Sequence, residues 1–142
     1  MKKEQIYEVF KMMPSNPPMI GYFFKAAKHG MGLVEEAKKI AKVWNQKFVY
    51  INMAQADKYD VHLQLIEHAK EMEPTTFCFD EMEKVSEEMR NYIFHCFSIS
   101  RENYLHPSCH VIYIVNPDKD EYYQNHWDDY VMVHSMEFNV DG

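Results

Sequence analysis

Apolar positions along the chain fall into short continuous runs separated by amphipathic stretches. Ile6, Val9, Phe10 and Met13 recur at helical spacing, after which Pro14, Pro17 and Pro18 force an extended connection. Residues 19–24 (MIGYFF) predict a buried strand. Leu33, Ala37, Ile40 and Trp44 then follow at spacings of four, three and four, which is one helical face. Residues 48–53 (FVYINM) predict a second strand, and Val61, Leu65, Ala69 and Met72 the core face of a second amphipathic helix. Residues 75–79 (TTFCF) predict a third strand. Val85, Met89, Ile93 and Cys96 or Phe97 mark a third helix, and two further strands are expected over 111–115 and 131–140.

Strands alternating with helices predict an α/β protein, with a mainly parallel sheet of five strands between two helical layers. The strands are nearly all apolar rather than alternating, as required when both faces of a sheet are covered. The chain divides into a helix and proline-rich connection over 1–18 and a single αβα domain over 19–142.

Ligands of such sheets bind at the carboxyl ends of the strands, so those ends carry the candidate chemistry. The first strand runs into Lys25-Ala26-Ala27-Lys28-His29-Gly30-Met31-Gly32 directly before a helix. The third ends in Asp80-Glu81 and the fourth in Asn116-Pro117. An Asp can hold Mg²⁺ through water, a neighbouring Glu can polarise an attacking water, and an Asn can orient it towards a γ-phosphate. The same residues also suit plainer roles. An acidic pair favours the N-terminus of the next helix, and Asn-Pro ends a strand in a turn.

Three pieces in this order resemble the AAA+ ATPases, most closely the MoxR-like branch found in bacteria and their phages. They are FVYIN, FCFDEMEKVSEEMRNYIF and VIYIVNPDKDEYY, and the resemblance runs from about Pro18 to the C-terminus. It implies a P-loop NTPase-like sandwich, with Asp80 (Mg²⁺) and Glu81 at the Walker B positions and Asn116 at sensor 1. The family's Walker A pattern, Gly-x-x-Gly-x-Gly-Lys-Ser/Thr, aligns with residues 25–32. Lys25 and Lys28 then stand at the first two glycines, Gly30 at the third, Met31 at the phosphate-binding lysine and Gly32 at the Mg²⁺-binding hydroxyl. His134 falls where the family carries an arginine finger, and no lid domain is expected within these 142 residues. The resemblance therefore implies a pseudo-ATPase with no cofactor. It would act through protein contacts, as an accessory or regulatory subunit or a phage-type inhibitor of a partner such as an active ATPase. The alternative is an Mg-ATP-binding enzyme with a rewired loop, in which Lys25 or Lys28 works with Asp80 and Glu81. Lys28, Gly30 and Gly32 are the candidate phosphate-loop residues.

Composition narrows the classes. The chain has 142 residues, 46% hydrophobic and 15% aromatic, enough for a packed core. Gly accounts for only four residues, and Gly30 is the one in register with the Walker A glycines. A net charge of −7 disfavours nucleic-acid binding, although Lys25, Lys28, Lys38, Lys39 and Lys42 cluster locally. Cys78, Cys96 and Cys109 each lie in an apolar stretch, which predicts buried thiols and a cytoplasmic location. There is no signal-like or membrane-length apolar run. His106, Cys109 and His110 are close in sequence but fit no zinc spacing, and His95-Cys96 are read as helix residues. Tyr122, Tyr123, Trp127 and Tyr130, interleaved with acids, predict a loop that contacts a protein partner.

Overall fold

The computed structural model describes residues 1–13, 21–26, 30–99, 105–106, 108–116 and 135–141. Helix α1 (Lys3–Met12) precedes strand β1 (Gly21–Ala26), α2 (Leu33–Val43), β2 (Lys47–Asn52), α3 (Lys58–Glu71) and β3 (Thr75–Asp80). A 3-10 turn over Met82–Lys84 leads to α4 (Glu87–Phe94), which runs on into a π-helical turn over His95–Ile99. Strands β4 (His110–Val115) and β5 (Ser135–Val140) complete one sheet in the order β2-β3-β4-β1-β5, and every pairing is parallel. All five expected strands are present, and every carboxyl end therefore lies on one edge of the sheet.

Two cores form on the two faces. On one, α1 and α2 lay Ile6, Phe10, Leu33, Ala37, Ile40 and Trp44 over Tyr22, Phe24, Ile112 and Phe138. The Phe10 ring lies 5.0 Å from Tyr22, 5.3 Å from Trp44 and 5.3 Å from Phe138, so α1 is bound into this core through its aromatic residue. On the other face, Tyr113 stacks on Phe23 at 4.7 Å and on Phe79 at 5.7 Å, with Phe94 edge-on at 5.2 Å. Cys78, Cys96 and Cys109 are free and buried.

Two expectations change. Strand β2 is half exposed because it is an edge strand, covered less than β3 and β4. In α3, Val61 and Leu65 face the core as expected, but His68 takes the third core position while Ala69 is exposed. Met72 is the left-handed C-cap at φ +48°, and its side chain is also exposed. The apolar stripe misassigned these two because a polar residue, His68, fills the core position just before them. His68 Nε2 accepts the N–H of His106 at 3.0 Å and lies 3.4 Å from Cys109 Sγ, which satisfies a buried imidazole. Burial, then His106, hold its pKa below the usual imidazole value, with Lys47 acting in the same sense and Glu71 against it.

Phe10→Ala should cost about 3–5 kcal/mol in chemical denaturation, because it empties the centre of one core. His68 is neutral in the folded chain at pH values where the unfolded chain already protonates it. Its contribution to stability is thus complete above the ordinary imidazole pKa and is lost as pH falls through the depressed folded value. We expect melting temperatures measured from neutral to mildly acid pH to fall less steeply for His68→Gln than for the parent chain.

Candidate functional site

At the carboxyl edge of the sheet, the segment before α2 makes its turn with two glycines. Gly30 and Gly32 both have φ +76°, a conformation that glycine adopts without strain. Gly32 is also the N-cap of α2 and has no side chain to satisfy the first N–H groups. A pocket of about 210 Å³ opens here. Gly30, Met31 and Gly32 form one wall, Asp80, Glu81 and Glu83 another, and Val115 and Asn116 close the end of β4. The fold thus brings Asp80, Glu81, Asn116, Gly30 and Gly32 around one cavity, although they are far apart in sequence.

Each acid is already engaged. Asp80 Oδ1 accepts the N–H of Glu81 at 2.8 Å, and Asp80 Oδ2 accepts the Tyr50 hydroxyl at 2.8 Å. Burial and the Asp80 carboxylate push the Tyr50 phenol well above its ordinary pKa, so Tyr50 remains a donor. Glu81 sits in the left-handed region at φ +55°, where a residue with a Cβ costs about 1–2 kcal/mol. Its Oε1 is 2.7 Å from Lys84 Nζ, and this hydrogen bond raises the lysine pKa. Glu83 is 6% exposed, and its Oε1 accepts the backbone N–H of buried Asn116 at 2.9 Å. Sequence reading missed Tyr50, Glu83 and Lys84. The acidic run after β3 was visible, but the partner of each acid depends on which strand lies beside it.

No lysine, arginine or histidine is among the described residues lining the pocket. Lys25 shares a sheet face with Phe23, and its Nζ is 2.9 Å from Glu137 Oε1 on β5. Lys28, Tyr122, Tyr123, Trp127, Tyr130 and His134 lie outside the described residues. A Cβ at position 32 would come within 3.0 Å of Lys3 Nζ, which α1 brings to the N-terminus of α2. His106, Cys109 and His110 are dispersed, since Cys109 turns to His68 while the His110 ring stacks on Trp44 at 3.9 Å. No cluster of three or more metal-ligating side chains occurs among the described residues. No helix among them is long and apolar enough to cross a membrane.

No protein-family model matches the chain. No curated protein sequence matches it either. A solved structure does: the RuvB Holliday junction branch migration motor of Thermotoga maritima superposes with a TM-score of 0.65. The match covers 98% of this chain and 43% of that one, at 10% identity. The chain shares with part of that motor an α/β fold in which helices flank a five-stranded parallel sheet. At that identity the likeness is one of fold, and the chemistry has to be argued from this chain's own residues.

The geometry of the glycine turn leads to a direct test. Gly32→Thr, which adds the hydroxyl that the sequence resemblance expects here, places a β-branched residue at φ +76° against Lys3. It should cost about 2 kcal/mol in urea denaturation and gain no nucleotide response in a thermal-shift assay.

Proposed function

We propose that this domain is an AAA+-like pseudo-ATPase of MoxR-like or phage-type ancestry that acts through protein–protein contacts. In this reading it is an accessory or regulatory subunit, or an inhibitor, of a partner such as an active ATPase. One observation carries the reading: the pocket at the phosphate-loop position presents three carboxylates and, among its described lining residues, no cationic side chain. A nucleoside triphosphate brings several negative charges, which such a wall repels strongly where water is partly excluded.

The described residues do not fit an Mg-nucleotide. Met31, at the position the resemblance gives to the lysine, has no charge to offer a β- or γ-phosphate. Gly32 has no hydroxyl for a metal. Asp80 is held by Tyr50, and Glu81 by Lys84, rather than left open towards a metal or a water. Lys25, one of the two lysines of the rewired-loop alternative, is drawn to Glu137. A protein partner is the better match for a scaffold whose site is arranged in this way.

Nucleotide linkage distinguishes the readings. A ligand at tenfold its Kd stabilises by about 1.4 kcal/mol, roughly 3–6 °C for a chain of this size. We expect less than about 1 °C with ATP or ADP and Mg²⁺ at millimolar concentration. A larger shift that Lys28→Ala removes, or ATP hydrolysis that Glu81→Gln abolishes, would overturn the proposal.

A further inference from the structure

Helix α3 is apolar on both sides. Val61, Leu65 and His68 face the core, whereas Tyr59, Leu63 and Ile66 are exposed by 66%, 36% and 38% on the opposite face. At 3.6 residues per turn these three share one stripe, and Lys70 continues it by a further turn. Beside the stripe, a groove of about 480 Å³ opens between α3 and α4, lined by Lys58, Tyr59, His62 and Tyr92. Its walls are fixed, since His62 Nδ1 is 3.1 Å from the Tyr92 hydroxyl and Lys58 Nζ lies 4.8 Å from the centre of the Tyr92 ring.

The two flanks of the stripe differ in charge. The whole sequence carries −7, yet Lys58 and His62 border the stripe on the α4 side and Lys70 ends it, while Asp60 and the exposed Glu67 border it on the other side. Neither Lys58 nor Lys70 pairs with a carboxylate among the described residues. The acids of the same helix are used elsewhere: Asp60 accepts the N–H of Asp57 in the N-terminal cap, and Glu71 is 2.8 Å from Lys47 on β2. Glu67 lies on the β2 side of the helix with Lys47 and Val49.

We propose that the outer face of α3 docks an acidic amphipathic helix of a partner protein. The partner's apolar residues would pack along Tyr59, Leu63 and Ile66, with one anchor in the groove beside Tyr92 and its carboxylates at Lys58 and Lys70. A single helical face is a small interface, so the complex is of the transient class, with Kd of about 1–100 μM. This inference rests on the protein-contact reading above and names the surface that carries it.

The probes are two synthetic helical peptides with the same leucine stripe, one flanked by glutamates and the other by lysines, titrated into the full chain by fluorescence anisotropy. The glutamate peptide should bind saturably, the lysine peptide at least about tenfold more weakly. Leu63→Glu should weaken the glutamate peptide by about tenfold or more, whereas Val43→Glu, exposed on α2, should leave it unchanged. Lys58→Glu combined with Lys70→Glu keeps the apolar stripe and should reverse the preference between the two peptides, which separates docking from any loss of fold. No saturable binding, equal binding of both peptides, or binding indifferent to these variants would overturn the proposal. So would a concentration-dependent dimer lost in Leu63→Glu, which gives the face to a second copy. A nucleotide response would strike the pseudo-ATPase reading and leave the peptide titration to stand by itself; a peptide failure without a nucleotide response would remove this face alone.

Discussion

The two strands β1 and β4 are buried on both faces, and their parallel pairing is what the rest of the structure is arranged around. Their register sets Phe23 beside Tyr113 and Tyr22 beside Ile112, so alternate side chains feed two separate cores. Each such aromatic or aliphatic side chain contributes about 1.5–3 kcal/mol when fully buried, and neither strand has a polar face to turn to water. A parallel pair needs a crossover, and the crossover must cover the apolar face it leaves. The sandwich of α1 and α2 on one side and α3 and α4 on the other follows from that requirement. The aromatic residue Phe10 makes α1 part of it.

The same parallel arrangement creates the candidate site. With every strand running one way, Asp80, Asn116 and the glycine turn before α2 emerge on one edge, next to one another. What they do there depends on local electrostatics. The pocket collects Asp80, Glu81 and Glu83, and the chain manages this charge from within: Tyr50 binds Asp80, Lys84 binds Glu81 and the Asn116 backbone binds Glu83. The left-handed Glu81 is the strained element of the set, and such strain persists where the surroundings over-determine it. Internal partners for each acid make a folded, settled site. They also leave little for an anionic ligand to gain.

Beyond the site, α3 shows how one helix can serve two surfaces. Its inward stripe includes a histidine satisfied by His106 and Cys109, and its outward stripe is apolar with a basic border on the α4 side. A core that accepts His68 allows the helix to carry Tyr59, Leu63 and Ile66 outside without exchanging the two faces. The outward residues add nothing to the sheet packing, so a purely structural account of the fold leaves them without a purpose.

Element types, their order and the parallel sheet were legible in the chain's apolar pattern, because continuous apolar strands and 3.6-residue stripes are local signals of burial. Leu33, Ala37, Ile40 and Trp44 were legible as one buried face for that reason, and all four are buried. The same pattern also located Asp80, Glu81 and Asn116 at strand ends, since a strand stops where its apolar run stops. Tertiary structure decided the rest. Ala69 and Met72 looked like core positions by spacing, and His68 displaced them because partners distant in the chain satisfy its ring. Lys25 reads as a loop cation until β5 places Glu137 within 2.9 Å of it. Tyr50 reads as a strand residue until β3 pairs beside β2 and puts Asp80 against its hydroxyl. Periodicity records which side of an element is dry, but the partner of a charged group is set by strand order and register, which no short stretch of sequence contains.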